Sequence, residues 1–302
     1  MKVRNIVSTI VFTVMAIFAT TAFGQASTDF EAFAVGSPNG QFGWTSTGPY
    51  DHKIVDNSLF ANAPSSFGNR SLRISNAVAS GSFGDQTFSA SATNEAGEST
   101  ATNNGMSGGV RRNFYQFSVA FTSATGTYQA GQSVVLSPDR GDGARMSWVQ
   151  ITDTPTGLQV NFNDYQAGAF VQTTVANDLS RTESHTLKVT MRFLNGASND
   201  VVSFYVDGEL AHVGTSWEDY FRDWEPGNTS RTVDSVLFRT GGTSVPSVMG
   251  GGILFDQLSL TTGTVATTAQ QCKNGGWMSL VDAEGMPFRN QGQCVSSTVG
   301  NN

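Results

Sequence analysis

The chain has 302 residues with 24 acidic and 17 basic side chains, and its formal net charge is −7 at pH 7. An excess of negative charge repels phosphate backbones, so we expect no nucleic-acid partner. The composition suits a soluble protein whose ligand is neutral or is met by a few local cations, and the length allows one large domain with a small appendage.

The first 24 residues have the pattern of a cleaved export signal. Lys2 and Arg4 precede an apolar stretch over 6–19, and small residues follow up to Gly24. The stretch is short for a membrane span, and no other segment is apolar enough to cross a bilayer. We predict a signal peptide over 1–24, a secreted or cell-envelope location and no transmembrane segment after signal removal. An uncleaved amino-terminal anchor is the alternative.

Candidate β-strands then follow at short intervals. The segment 29–76 is rich in turn residues around one short strand. The segment 90–109 contains mainly small and polar residues, so we expect a long surface loop that cannot be core. The candidate strands are 71–75, 114–121, 132–136, 144–151, 157–162, 169–175, 186–194, 201–206, 233–239 and 253–260.

The segment 185–210 has the clearest strand pattern. Leu187, Val189 and Met191 alternate with polar residues, and the alternation resumes over 201–206 before the turn pair Asp207-Gly208. This pattern is typical of a hairpin in an antiparallel sheet with one face in the core. Because helical periodicity is almost absent elsewhere, the sequence predicts an all-β sandwich.

The order of these strands resembles the concanavalin A-like lectin and glucanase superfamily. The matching segments are 185–193, 202–208, 235–239 and the closing strand 252–260, and the likeness covers about residues 29–261. The resemblance implies a two-sheet antiparallel jelly-roll sandwich, assigned here to 25–261. It implies a fold more than any activity.

The two cysteines of the chain, Cys272 and Cys294, lie in a tail that we assign to 262–302 together with its linker. In an oxidising compartment such a pair predicts one disulfide, which would contribute roughly 3 kcal/mol in the chain-entropy model. Two thiols are the alternative. The run from Cys272 to Trp277 resembles an element at the ends of exported bacterial proteins, and we prefer a structural staple to an attachment or sorting role.

Glycoside hydrolase chemistry is disfavoured by the arrangement of acidic residues. Glucanases of this superfamily place three acidic residues at alternate positions of one strand, so that a nucleophile and an acid/base face one sugar. No such strand exists here, and the acidic pairs at 218–219 and 223–225 lie in a loop-like aromatic segment. His185 opens a strand and is expected at the surface or at an edge.

A partial match to alginate-lyase-type jelly rolls keeps a polysaccharide lyase as an alternative. Arg111 and Arg112 would neutralise a carboxylate, and Tyr165 would donate a proton. The Gln-Ile-His strand of those proteins is matched by Gln150-Ile151, but Thr152 stands in place of the histidine. The missing histidine removes an obvious base.

Carbohydrate binding is the function that the sequence favours over catalysis. Gln159, Asn161 and Tyr165 share one face of a strand, and Trp148 lies on the preceding strand. Amides beside aromatic rings suit sugars, whose hydroxyls take paired hydrogen bonds and whose C–H faces stack on rings. A solvated outer sheet would show the same polarity.

A second aromatic group completes the predicted glycan site. Its members are Trp217, Tyr220 and Trp224, which would form a binding rim or plug one end of the sandwich. We expect a polysaccharide or glycan ligand and no cofactor. Calcium, which the resemblance permits, would use Asp139 with Asp142 or Asp207 with Glu209. A structural or adhesive surface protein without a defined ligand is the remaining alternative.

Overall fold

The computed structural model describes residues 24–101, 105–225, 231–240 and 242–299. Two large antiparallel sheets pack face to face, so the predicted all-β jelly-roll sandwich is confirmed. Apart from Gly24, the predicted signal peptide lies outside the described residues. Among the described residues, no helix combines the length and the apolar character needed to span a bilayer.

The strands overlap every predicted segment and include several others, but residues 144–147 of the predicted strand 144–151 lie in a connection. In chain order they are β1 (Gly24–Thr28), β2 (Thr45–Thr47), β3 (Asp51–Asp56), β4 (Arg70–Ser75), β5 (Gln86–Phe88), β6 (Glu95–Gly97), β7 (Arg111–Arg112), β8 (Phe114–Ser123), β9 (Ser133–Asp139), β10 (Trp148–Thr154), β11 (Gly157–Gln166), β12 (Ala169–Leu179), β13 (His185–Arg192), β14 (Val201–Val206), β15 (Glu209–Gly214), β16 (Thr232–Val233), β17 (Ser235–Thr240) and β18 (Ile253–Gly263). The α-helices are α1 (Glu218–Trp224) and α2 (Gln291–Val299), and short 3₁₀ turns occupy Asn57–Leu59, Ser65–Phe67, Pro246–Val248 and Gly276–Ser279.

Three sheets are formed by these strands. The eight-stranded sheet has the order β15-β14-β13-β8-β18-β4-β3, with β1 also paired to β18. The seven-stranded sheet has the order β12-β11-β10-β9-β17-β5-β2. A small sheet of β16, β6 and β7 contains one parallel pair, β6 with β7.

The core lies between the two large sheets and is built from the predicted alternation. Leu187, Val189 and Met191 are at most 1% exposed, whereas the polar residues between them point away from the core. Aromatic rings interlock across the layers, with Phe162 of β11 4.2 Å from Phe204 of β14 between ring centroids. Such pairs stabilise the fold through apolar burial and through favourable ring geometry.

The reversal after β14 is the turn that the sequence predicts. Asp207 and Gly208 both adopt positive φ, at 51° and 87°, which is the backbone of a two-residue hairpin turn. His185, however, was wrongly expected at a surface or an edge. It is 6% exposed, because β13 lies inside the sheet, and its Nδ1 lies 2.8 Å from Asp207 Oδ2.

The segment 90–109 corrects a second prediction. Ala92 and Ala96 are fully buried, and Glu95 and Glu98 are at most 2% exposed, so part of this polar segment belongs to the interior. Ion pairs to arginines compensate the buried carboxylates, as between Glu95 Oε1 and Arg111 Nε at 2.9 Å. Composition alone misled here, because small residues and paired charges can also fill an interior. Residues 102–104 lie outside the described part.

The disulfide between Cys272 and Cys294 is confirmed, with the two Cα atoms 5.7 Å apart. The tail packs against the sandwich through Val265 and Val281, which form a buried cluster with Phe114 at the start of β8. A backbone bridge between Val265 and Val281 ties the linker to the tail. The tail therefore docks at one end of the eight-stranded sheet.

Candidate functional site

Strand register assembles a row of ring and amide side chains on the outer face of the seven-stranded sheet. Trp148 of β10 lies opposite Asn163 of β11, which lies opposite Gln172 of β12. Directly opposed residues share one face of a sheet. The parallel row beside it brings Gln150 next to Val135 and, one strand further, Arg239.

Aromatic side chains from other elements extend this row into a wall. The Trp217 ring lies nearly parallel to that of Trp148, with 6.2 Å between centroids and 13° between planes. Phe170 lies 4.6 Å from Trp217 and 5.3 Å from Tyr220 between ring centroids. Trp217 Nε1 donates a hydrogen bond to the Asn163 carbonyl oxygen at 2.8 Å, which fixes the ring on the sheet.

These side chains line a depression that we call the aromatic cleft. It encloses about 440 Å³ and is lined by Phe83, Arg140, Asp142, Gly143, Ala144, Arg145, Trp148, Phe170, Trp217, Tyr220, Phe221 and Glu225. An adjoining groove of about 300 Å³ is lined by Trp148, Gln150, Asn163, Phe170, Gln172 and Trp217. Because the two share three rings, they form one continuous surface of a size typical of ligand sites.

Helix α1 supplies one wall of the aromatic cleft, where the sequence predicted a loop. Glu218 at its start is fully buried, and its Oε1 accepts hydrogen bonds from the backbone N–H groups of Asn199 and Asp200 at 2.8 and 2.9 Å. Arg222, one turn later, lies between Glu218 and Glu98, with its Nη2 2.6 Å from Glu98 Oε1. These buried contacts hold the helix against the sandwich and so position Tyr220.

Two arginines approach the same pair of rings in the aromatic cleft. Arg145 Cζ lies 5.1 Å from the Phe83 centroid and 5.6 Å from that of Trp148. Arg239 Cζ lies 4.4 Å and 5.0 Å from the same two centroids. Burial, and next the charge of Arg145, lower the pKa of Arg239 to about 10, so Arg239 stays charged at neutral pH.

The acidic groups of the cleft are held by protein partners. Arg140 Nη2 lies 2.6 Å from Asp142 Oδ2. The Tyr220 hydroxyl donates a hydrogen bond to Glu225 Oε1 at 3.2 Å, and burial and the Glu225 charge raise the pKa of Tyr220. The described residues contain no group of three or more His, Cys, Asp and Glu side chains arranged for a metal ion.

The structure brings together only part of the predicted glycan site. Trp148, Trp217 and Tyr220 line the aromatic cleft, although Trp217 is only 7% exposed. Trp224 is 68% exposed, and its Nε1 donates a hydrogen bond to the Tyr165 hydroxyl. Tyr165 itself is 2% exposed and lies behind the wall.

Gln159 and Asn161 do not line the cleft or its groove. Asn161 is 7% exposed, donates a hydrogen bond to Gln159 Oε1 at 3.1 Å and accepts one from Thr174 Oγ1 at 2.8 Å. The strand alternation placed both amides on the outer face. The position of an amide along that face decides whether it lies near the aromatic rings. The amides that line the groove with Trp148 are those of Gln150, Asn163 and Gln172.

Sequence reasoning missed several lining residues. Phe83 and Arg145 lie in connections between strands, while Phe170 and Gln172 lie within a predicted strand whose partner was unknown. Arg239 does not line the cleft itself but packs against two lining rings, Phe83 and Trp148, and it ends another predicted strand. The alternation of β17 puts Arg239 on the face opposite to the core, but only pairing through β9 brings it next to Trp148.

The residues of the lyase alternative are not gathered in the cleft. Arg111 lies in the small sheet, where its Nη1 donates hydrogen bonds to the carbonyl oxygens of Glu98 and Ala101 at 3.0 and 2.6 Å. Arg112 is its neighbour in β7. The Tyr165 hydroxyl contacts Asp223 and Trp224. The guanidinium groups in the cleft belong to other positions.

Two of the carboxylates named for calcium, Asp139 and Asp207, have protein partners. Asp139 Oδ1 accepts hydrogen bonds from the backbone N–H groups of Gly141, Asp142 and Gly143 at 2.6, 3.0 and 3.1 Å. Asp207 Oδ1 accepts one from the backbone N–H of Thr186 at 2.7 Å, while its other oxygen faces His185. Calcium binding stays a prediction.

A smaller cavity beside β1 differs from the aromatic cleft in chemistry. It encloses about 220 Å³ and is lined by small and apolar side chains, among them Phe42, Trp44 and Leu258, with Asp29 as its only charged residue. Ligand sites combine an apolar surface with several converging polar groups. The aromatic cleft meets that description, and this cavity does not.

Comparison of the sequence with protein-family models and with curated proteins gives no match. Solved structures that resemble the chain include an endo-β-1,4-glucuronan lyase from the fungus Trichoderma reesei, with 14% identity, a TM-score of 0.39 and coverage of 76% of this chain and 93% of that one. An alginate lyase from Pseudomonas aeruginosa has 8% identity, a TM-score of 0.43 and coverage of 72% and 97%.

An endo-1,3-β-glucanase from Streptomyces sioyaensis shows 15% identity, a TM-score of 0.40 and coverage of 80% of this chain and 96% of that one. These are loose likenesses that do not assign the chain to a family. The chemistry of the aromatic cleft therefore rests on its own residues.

Proposed function

We propose that the chain is an exported polysaccharide-binding protein and that its aromatic cleft holds the sugar units. The observation that carries this proposal is the junction at Trp148, where ring faces and a row of amides meet on one continuous surface. Aromatic rings pack on the C–H faces of sugars, and amides such as Asn163 and Gln172 can donate and accept hydrogen bonds with hydroxyl pairs.

The shape of the site supports a polymer as the ligand. The cleft and the groove share Trp148, Phe170 and Trp217, so a ligand can run from one into the other without leaving the rings. Phe170 is 50% exposed, which leaves ring surface for a ligand to cover. Several sugar units in a row would use this length, whereas one unit would fill only a part.

Binding without turnover is the form of the proposal that the cleft residues favour. Hydrolysis needs an acid and a second carboxylate flanking one glycosidic bond. Within the described part of the cleft, Asp142 is ion-paired with Arg140, and Glu225 accepts a hydrogen bond from Tyr220. Both carboxylates therefore already have partners. The experiment has to distinguish binding alone from binding followed by catalysis.

Affinity electrophoresis of the oxidised protein against a polysaccharide panel tests the proposal, with reducing-end and unsaturated-uronate assays on the same mixtures. We expect retardation without product, and a loss of affinity of about tenfold or more in Trp148→Ala. Tyr205→Ala is the matched control, because Tyr205 is a partly exposed aromatic residue on the outer face of the eight-stranded sheet.

Each other outcome has a clear consequence. Release of product would make the chain an enzyme. Equal losses in Trp148→Ala and Tyr205→Ala would move binding away from the aromatic cleft. Absence of retardation by any polymer in the panel would favour a structural or adhesive role.

A further inference from the structure

We propose that the aromatic cleft selects polysaccharides that carry anionic groups, and that Arg145 and Arg239 recognise those groups. This inference rests on the proposed function and adds the chemical class of the ligand. It uses two side chains that the sequence did not single out.

The positive charges of Arg145 and Arg239 lie close to one small surface. Both guanidinium groups lie within 5.6 Å of the centroids of Phe83 and Trp148. The attraction between a cation and an aromatic face stabilises each arginine there. It does not remove the repulsion between the two like charges, which an anion placed between them would offset.

In the described part of the chain, neither arginine forms a direct ion pair with a carboxylate. Among the described residues, several buried or half-buried arginines elsewhere are paired with a carboxylate, as Arg73 is with Asp51 at 2.7 Å and Arg181 with Asp153 at 2.8 Å. Arg145 and Arg239 form no such ion pair within the same part of the chain. The chain is acidic overall, so two unpaired cations at its ligand-sized cleft are unusual.

Both arginines have unused hydrogen-bond donors. The Nη1 atoms of Arg145 and Arg239 are both buried without a hydrogen-bond partner among the described residues. Arg239 is 6% exposed, and its Nε donates only to the Thr240 carbonyl oxygen at 3.3 Å. A buried cationic donor left without an acceptor costs free energy, which a bound oxyanion would recover.

Guanidinium groups bind carboxylates and sulfates alike, through paired N–H donors. The shared chemistry of the ligand is therefore a planar or tetrahedral oxyanion on a sugar ring beside aromatic surfaces. A uronate polymer and a sulfated polymer are the two sources of that chemistry, and the experiment has to contain both.

The test measures dissociation constants for polygalacturonate and for its carboxyl-reduced, neutral form, and for dextran sulfate and unmodified dextran. We expect a charged polymer to bind about tenfold or more tightly than its neutral counterpart. In Arg145→Gln and in Arg239→Gln this preference should fall by up to about tenfold, because the affinity for the charged polymer drops more than that for the neutral one.

Arg192→Gln is the control, because Arg192 is a partly exposed arginine on the eight-stranded sheet. Its replacement changes the net charge of the protein by the same amount as Arg145→Gln or Arg239→Gln. Thermal unfolding shows whether each variant is folded. Arg145 is only half-buried, so Arg145→Gln keeps the test decisive if Arg239→Gln does not fold.

The outcomes separate this inference from the function on which it rests. Equal affinity for charged and neutral polymers would overturn the selection of anions and leave glycan binding standing. A preference for anions that persists in both arginine variants, or falls equally in Arg192→Gln, would overturn the assignment to Arg145 and Arg239. No binding of any of the four polymers would overturn both proposals, and binding of only one charged polymer would support the inference and identify the anion.

Discussion

The outer faces of the two large sheets are built by the same alternation of side chains along strands, but they form different surfaces. On the eight-stranded sheet the outward residues include Lys188 and Tyr205, with Lys188 Nζ 3.9 Å from the Tyr205 centroid. On the seven-stranded sheet they include Trp148 and Arg239, which loops and α1 surround. Alternation decides which side chains leave the core, and the elements that cover a face decide whether those side chains converge.

The two faces also differ in what lies against them. Helix α1 and the connections carrying Phe83 and Arg145 rise beside the seven-stranded sheet and make walls. At the eight-stranded sheet the disulfide-closed tail packs on Phe114 instead. Burial, and next the charge of Glu284 in that tail, raise the pKa of Tyr205. The tail therefore covers an end of this face.

The largest expected effect comes from removing the charge that anchors α1. Glu98 Oε1 lies 2.6 Å from Arg222 Nη2 and 2.9 Å from Arg231 Nε, and the Glu98 side chain is fully buried. We expect Glu98→Gln to lower the free energy of unfolding by about 3–5 kcal/mol, because it leaves the buried Arg231 without its carboxylate partner and weakens the pairing of Arg222, which keeps Glu218 and Asp219. It should also weaken glycan binding, since α1 carries a wall of the cleft.

Urea unfolding and affinity electrophoresis measure the two effects of Glu98→Gln. Glu183→Gln is the control, because Glu183 is exposed and its replacement should change the free energy of unfolding by no more than about 0.5 kcal/mol. A Glu98→Gln protein as stable as the parent would show that the wall does not depend on this pair.

Removal of the disulfide tests the other surface, because it should destabilise the tail without changing the aromatic cleft. Replacing Cys272 and Cys294 by serine should destabilise the tail by about 3 kcal/mol, because the unfolded loop is no longer constrained. Limited proteolysis followed by mass spectrometry should show faster cleavage within the tail, with glycan affinity unchanged. A parallel loss of affinity would mean that the tail supports the seven-stranded sheet as well.

The smallest expected effect is a pH dependence located beneath α1. Burial, and next the charge of Glu218, raise the pKa of Asp200 from 3.8 to about 7. The folded protein therefore binds this proton more tightly than the unfolded chain, so the free energy of unfolding falls as the pH rises from about 4 to 7. Asp200→Asn should reduce that fall by on the order of 1–3 kcal/mol.

Unfolding titrations at several pH values between 4 and 8 measure this difference. Asp178→Asn serves as the control, because Asp178 is an exposed carboxylate in β12. Parallel pH curves for the parent and Asp200→Asn would show that Asp200 does not carry the dependence. A flattened curve for both variants would point to an effect of net charge.

The limits of sequence reasoning show in particular residues. The alternation at Leu187, Val189 and Met191 predicted their burial, because a strand on a sandwich has only two faces. His185 was misplaced, since alternation does not say whether a strand is central or at an edge. Trp148 and Tyr220 were named for their chemistry, whereas Arg145, which the pattern placed in the strand 144–151, lies in the connection before β10.

The sequence by itself determined the all-β sandwich, most of its longer strands and the disulfide, because strand periodicity and a single cysteine pair are local or unambiguous signals. Tertiary structure alone decided which rings, amides and arginines meet at the aromatic cleft. That choice depends on contacts between strands and loops distant in sequence: Phe83, Trp148, Trp217 and Arg239 come from four separate parts of the chain. Such contacts follow from the register and packing of the whole sandwich, which no single segment encodes.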